Sequence, residues 1–294
     1  MLGFSLAVAV LALGTGLEAA PEDHVTFIVM GKTANTRQAS DGAFTLLNYH
    51  FFAEIFVKDG GSVTAASLAF PDGKTQPFED LGFVLEVHGG RYGDEPELDR
   101  AYPNGSYTFR FSTPSGPSGP SGVVVGRVLR VRGTGEGASR IPKPVRITLH
   151  QGGREISATA VDPESDLTVT WSPFDGAGTD ANGILDDLMF VVLGDCHGEK
   201  TVHSGRPFEG TGYLSYGTTE YVIPKSKLAA GAPHQLFIEQ AKVDTSKEDG
   251  IVGLVTYAAT TFLDFETTGN ASGPECPSTM PKIDGGQTDR PSAR

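Results

Sequence analysis

Basic residues are scarce in this 294-residue chain: 23 Lys and Arg stand against 36 Asp and Glu, for a formal charge of −13. A surface of that sign repels phosphate, so nucleic acid is not an expected partner, and neither is an anionic membrane face. Cysteine is nearly absent, with Cys196 and Cys276 alone. That excludes a disulfide-dense scaffold and an all-thiolate zinc site, and leaves one disulfide or two free thiols. Beyond the N-terminus no apolar run is long enough to span a bilayer, so no membrane span is expected in the mature chain. Long helical periodicity is missing too, and with it the crossover helices of a parallel α/β fold. Neither a Gly-x-Ser-x-Gly elbow nor a His-Glu-x-x-His sequence occurs, so two common hydrolase signatures are lacking.

What is present begins with an apolar run at residues 2–13, broken by Gly14 and followed by Ala19-Ala20-Pro21. This reads as a signal peptide over residues 1–20 and places the mature protein outside the cytoplasm: secreted, periplasmic or on the cell surface. The 38 Gly and 19 Pro suit many short strands joined by tight turns. In residues 44–57, Phe52, Glu54 and Phe56 share one strand face while Ala53, Ile55 and Val57 share the other. Pro103-Asn104-Gly105 is a turn, and Tyr107, Phe109 and Phe111 leave it in strict alternation. The expected fold is all-β: two antiparallel Greek-key-like β-sandwich domains in tandem. The first covers 21–132, with a Pro/Ser/Gly-rich loop or linker at 113–122. The second covers 140–268, and a polar tail at 269–294 is expected to be disordered.

The second region holds six or seven strands at short spacing, separated by turn sequences such as Gln151-Gly152-Gly153 and Asp175-Gly176. Leu167-Thr-Val-Thr-Trp171-Ser-Pro-Phe174 is similar to the strand that carries the core Trp of fibronectin type III and related immunoglobulin-like modules. Leu228, Gly231, Leu236 and Ile238 also fit that pattern, whereas His234 stands where the family has Tyr. The resemblance covers about 130 residues. It implies a β-sandwich with Trp171 in its core and carries no catalytic residues with it.

Several motifs touch on chemistry. Gly31-Lys32-Thr33 lacks the earlier glycine of a phosphate loop, where Thr26 stands. Gly133-Thr-Gly135-Glu-Gly-Ala138 runs into Pro142 and Pro144 where a dinucleotide-binding helix would start. Cys196, His197 and His203 make three ligands where a structural zinc site needs four. The best-formed candidate is an acidic loop. Asp175, Asp180, Asn182, Asp186 and Asp187 crowd between two strands and are the expected ligands if the protein takes calcium, its one candidate cofactor. Ile184 and Leu185 occupy places where a calcium loop has a further acid and Gly. Tyr92, Tyr213 and Tyr216 lie near glycines and are candidates for an exposed sugar-stacking face.

These features point first to a secreted or surface binding or adhesion protein without catalysis, with a surface polysaccharide or a protein as partner. The alternatives are a secreted hydrolase using loop carboxylates and a purely structural envelope spacer. If an oxidising compartment joins Cys196 to Cys276, the bond ties the C-terminal tail to the second domain.

Overall fold

A computed structural model describes residues 21–82, 84–114, 122–130, 139–210, 212–248, 250–271, 275–277, 283–284 and 287–288. The expected signal peptide lies outside the described residues, as do residues 115–121 of the Pro/Ser/Gly-rich stretch and most of the expected disordered tail.

The protein is all-β. In the first half the strands are β1 (Val25–Gln38), β2 (Phe44–Val57), β3 (Thr64–Ala69), β4 (Thr75–Pro77), β5 (Glu79–Asp80), β6 (Val84–Tyr92), β7 (Ser106–Thr113) and β8 (Gly122–Arg130). One short helix, α1 (Glu95–Ala101), lies between β6 and β7. Its N-cap Asp94 accepts a 2.7 Å bond from Glu97 N. The second half has β9 (Ile147–Gln151), β10 (Arg154–Ile156), β11 (Leu167–Trp171), β12 (Leu188–Gly194), β13 (Lys200–His203), β14 (Leu214–Ser215), β15 (Glu220–Ile223), β16 (Pro233–Glu248) and β17 (Ile251–Glu266). A small pair, β18 (Ile283–Asp284) and β19 (Gln287–Thr288), follows.

The strands of both halves meet in one nine-stranded sheet, ordered β13-β12-β16-β17-β1-β2-β6-β5, with β14 added beside β12. Two four-stranded sheets accompany it: β4-β3-β7-β8 and β10-β9-β11-β15. The small sheets give two cores. Ile28, Met30, Ile55, Val255 and Tyr257 meet Leu68, Phe109 and Phe111 in the first. Leu236, Ile238, Leu263 and Phe265 meet Leu149, Leu167, Val169 and Trp171 in the second. β17 therefore serves both, and all its core residues are odd-numbered, so they lie on one face of the pleat. β16 and β17 are long enough to do this because Gly250, at φ +82°, closes a tight hairpin that keeps sixteen residues of each in register.

One sequence expectation is corrected here. The sandwiches are not all antiparallel: β1 and β17 run parallel, from Phe27 opposite Val252 to Arg37 opposite Phe262, and this pairing joins the two regions in one sheet. Alternation of apolar residues is the same in parallel and antiparallel strands, and the two strands lie at opposite ends of the chain. No turn sequence could therefore announce the pair. The Pro/Ser/Gly-rich stretch connects β7 to β8, whose ends pair at Thr113 and Gly122, so it is a hairpin connection within the first region.

Trp171 is buried in the second core, as the resemblance implies. His234, in the position of the family's Tyr, is also buried. It stacks on Phe265 and sets Nε2 3.4 Å from the carbonyl of Ala229.

The far end of β1 is clamped to the second small sheet by a single side chain. Buried Gln38 donates from Nε2 to Ile147 O (2.7 Å) and accepts from Ile147 N at Oε1 (2.8 Å). Gln38→Leu leaves both backbone groups of Ile147 without these partners. It is expected to lower unfolding free energy by about 2 kcal/mol or more in urea titrations. A loss below about 0.5 kcal/mol would show that the clamp is not structural.

Candidate functional site

The face of the large sheet turned away from the two small sheets carries a cleft of about 180 Å³. The pleat supplies its floor. Phe52, Glu54 and Phe56 of β2 point into it because Ala53 and Ile55 point into the first core. By the same alternation β1 contributes Phe27, Val29 and Thr33, β6 Val84 and Glu86, β16 Phe237 and Glu239, and β17 Leu254 and Thr256. Leu188, Phe190 and Val192 of β12 extend the apolar lining. Lys200 and His203 of β13, with Arg206 and Pro207 just after it, form one wall. The Arg206 guanidinium sits 5.6 Å from the centre of the Phe56 ring and 3.6 Å from Glu209 Oε2.

Gly31 marks the middle of the floor. It pairs with Phe52 on one side and Thr256 on the other. A Cβ there would come within 2.0 Å of Thr256 Oγ1, so only glycine admits the threonine side chain. The Thr256 hydroxyl is buried and has no hydrogen-bond partner among the described residues. Nearby, Thr33 Oγ1 lies 3.3 Å from Thr260 Oγ1, which donates to Glu239 Oε2 at 2.8 Å.

The cleft's electrostatics follow from crowding acids on a sheet face. Glu54 and Glu86 are directly opposite one another on β2 and β6, a pairing that repels when both are charged. Burial, then the charges of Glu86 and Glu239, push the Glu54 carboxyl up to about 8, against the pull of Arg206 and Lys200. Glu54 keeps a share of surface area, but it stands at the bottom of a cleft among Phe52 and Phe56, where little water reaches it. Burial raises Glu239 as well, opposed by the Thr260 hydroxyl and Lys200. His50 and His203 are both pushed down to about 4, chiefly by burial. For His203 the Arg206 and Lys200 charges add to the effect. Near neutral pH the cleft thus holds a protonated carboxyl and two neutral imidazoles beside Lys200, Arg206 and two further glutamates.

The acidic loop is organised differently. Asp180 Oδ1 accepts from Asn182 N, and Asp180 Oδ2 from Ile184 N and Leu185 N, each at 3.2 Å; the Thr245 hydroxyl also donates to Oδ2. Asp187 accepts from Gly178 N (2.9 Å) and Val243 N (2.8 Å), and Asp186 from Asp180 N (2.9 Å). Asn182 Nδ2 donates to Thr245 O, tying the loop to β16. Asp175 is exposed at the start of the loop. The carboxylate oxygens are thus turned onto backbone N–H groups. The described residues contain no group of three or more His, Cys, Asp or Glu placed to hold a metal ion. Burial raises Asp180, but Thr245 and the three N–H groups outweigh it and hold the carboxyl below its ordinary range.

Cys196 and Cys276 are joined in a disulfide with Cα atoms 5.6 Å apart, fastening the chain beyond β17 to the end of β12. His197 is exposed, while His203 faces the cleft, so the Cys-His-His set is dispersed. Tyr92 packs beside the first core, Tyr216 beside the second, and Tyr213 is exposed; they share no face. The sequence reading missed Glu86, Glu239, Lys200 and Arg206. A signal existed for the glutamates, because Phe52-x-Glu54-x-Phe56, Val84-x-Glu86 and Phe237-x-Glu239-x-Ala241 each set a carboxyl into an apolar strand face.

Three outcomes are expected. Folded Glu54 keeps its proton up to about pH 8, whereas unfolded it ionises near its ordinary value, so stability contributed by this group falls as pH rises through that window. Glu54→Gln removes the dependence, and its melting-temperature advantage over the parent should grow from about pH 5 to about pH 8. A constant difference would show that Glu54 is not held protonated. Asp180→Ala, which strips the N–H groups of the loop, is expected to cost about 1–3 kcal/mol. Adding a calcium chelator to the parent protein should leave its melting temperature unchanged; a drop would support calcium at this loop. Compared with known proteins, the chain matches no family and no curated sequence.

Proposed function

We propose that the chain is an exported binding protein without catalysis, whose ligand site is the cleft on the face of the large sheet turned away from the two small sheets. One observation carries this reading. Three glutamates, a lysine and an arginine converge on an aromatic-lined hollow in a sheet face. A solvated sheet face is ordinarily polar, and a covered one is apolar. An apolar concavity with a few convergent ionisable groups, some far from their ordinary pKa, is the usual form of a ligand site. Strands hold these groups more rigidly than loops would, which favours binding by pre-set geometry. The apolar N-terminal run with its small-residue cleavage point supports export, and the disulfide suits an oxidising compartment. The strand orders β10-β9-β11-β15 and β13-β12-β16-β17, with Trp171 between them, support reading the second region as a fibronectin type III-like module.

A second reading, a glycoside hydrolase, is favoured by one feature. A carboxyl protonated near neutral pH beside other glutamates is the arrangement of acid catalysis at a glycosidic bond. Its acids would then come from strands rather than loops.

A thermal-shift screen of the purified protein against a broad small-metabolite library tests the binding reading. At least one compound should raise the melting temperature, and Arg206→Ala or Phe190→Ala should abolish that shift. If no compound shifts the parent, or if the shift survives both substitutions, the cleft is not the ligand site. Release of chromophore from aryl glycosides, lost in Glu54→Gln, would replace binding with hydrolysis.

A further inference from the structure

On the other face of the large sheet, away from the cleft, a lysine enters the first core. Lys32 follows Ile28 and Met30 on the core side of β1 and pairs in register with Phe51 on β2 and Tyr257 on β17. Its side chain is only 4% exposed, a degree of burial that lysine almost never reaches unless it is paired. Two oxygens meet its Nζ: Asp99 Oδ1 at 2.5 Å and Asn104 Oδ1 at 3.0 Å. The Tyr257 hydroxyl donates to the same Asn104 oxygen at 3.5 Å. Asn104 Nδ2, in contrast, makes no hydrogen bond among the described residues.

The surroundings hold these groups in place. Asp99 stands on α1, which the buried Leu98 anchors in the first core. The turn that carries Asn104 is fixed on both sides. Tyr107 donates its hydroxyl to Pro103 O at 2.8 Å, and Gly105 lies so close to Pro71 that a Cβ would come within 2.8 Å of the ring. The Tyr257 ring has the Arg140 guanidinium 4.9 Å from its centre, and Arg140 in turn pairs with Asp244. An amine with a carboxylate in hydrogen-bond reach is an activated nucleophile. A carbonyl group beside that amine, with a hydroxyl donating to its oxygen, completes the parts of an acyl transfer.

We propose that the protein joins Lys32 to Asn104 in an isopeptide bond, with Asp99 as the general base of the reaction. Asp99 takes a proton from the Lys32 ammonium, and the freed lone pair of Nζ attacks Asn104 Cγ. Negative charge gathers on Oδ1, where the Tyr257 hydroxyl donates. The bond from Cγ to Nδ2 then breaks. Both protons lost by Nζ leave with Nδ2 as an ammonium ion, relayed by Asp99, which ends as the carboxylate it began as. Asn104 is exposed and the Asp99 side chain is 43% exposed, so the departing nitrogen has a path to solvent. The product ties β1 of the large sheet to the turn before β7 of the small sheet, across 72 positions of chain. Such a link restricts the unfolded chain as a disulfide does. It is independent of any ligand in the cleft.

Intact-mass spectrometry of the whole purified protein, denatured before injection, tests this directly. The parent should weigh about 17 Da less than its sequence and disulfide require, the mass of the ammonia released. Trypsin should leave the chain uncut after Lys32 and yield one fragment that holds both Lys32 and Asn104. Lys32→Arg and Asp99→Ala should each restore the full mass. A parent of full mass overturns the bond, and this reading needs no variant to fold. A mass loss that persists in Lys32→Arg also overturns it, because a succinimide closed by Gly105 N on Asn104 sheds the same ammonia without the lysine. A cross-linked fragment still formed in Asp99→Ala overturns the part given to Asp99.

Discussion

The parallel pairing of β1 with β17 is the constraint on which the rest of the structure depends. It brings strands from the two ends of the chain side by side and makes one sheet out of two hairpins. Both small sheets need that sheet, since neither core closes without residues of its long strands. The cleft needs it as well. Its floor is drawn from β2, β1, β17 and β16 together, so no single sandwich could have formed it.

The site follows from how a pleat divides its side chains. Each long strand spends one set of residues on a core and has the other set left over. On most of the leftover face the chain places Phe, Val and Leu, which gather under Ile184 and Leu185 from the acidic loop and Leu81 from the turn before β6. The glutamates interrupt that apolar surface where it sinks. Their repulsion is tolerated because one carboxyl holds a proton and two cations lean over from β13 and the segment after it. The acidic loop, the clearest motif in the sequence, has a structural part: it binds its own backbone and seats Leu185 on the sheet.

The sequence was informative where physics is local. Alternation in residues 44–57 separated the Phe52-Glu54-Phe56 face from the Ala53-Ile55 face, and that separation is the one between cleft and core. Tyr107, Phe109 and Phe111, also read from alternation, are all buried in the first core. The parallel join was not legible, because pairing between distant strands leaves no trace in neighbouring residues. Nor was the convergence of Glu54, Glu86 and Glu239, which stand on three strands from both halves of the chain. The acidic loop drew attention because its acids are close in sequence, yet closeness in sequence says little about where carboxylate oxygens point. Asp180 and Asp187 spend theirs on N–H groups of their own loop and of β16.

The position of β17 also bears on how the chain comes to be folded. β1 is made long before its parallel neighbour β17. Until β17 arrives, the β1–β2 hairpin has a long, apolar, unpaired edge, the kind that pairs with other chains. Contacts so distant in sequence fold slowly, because the loop entropy is spent before the pairing repays it. A chain still lacking β17 therefore cannot close either core, and its β1 edge stays open to pairing with neighbouring chains until that strand is made.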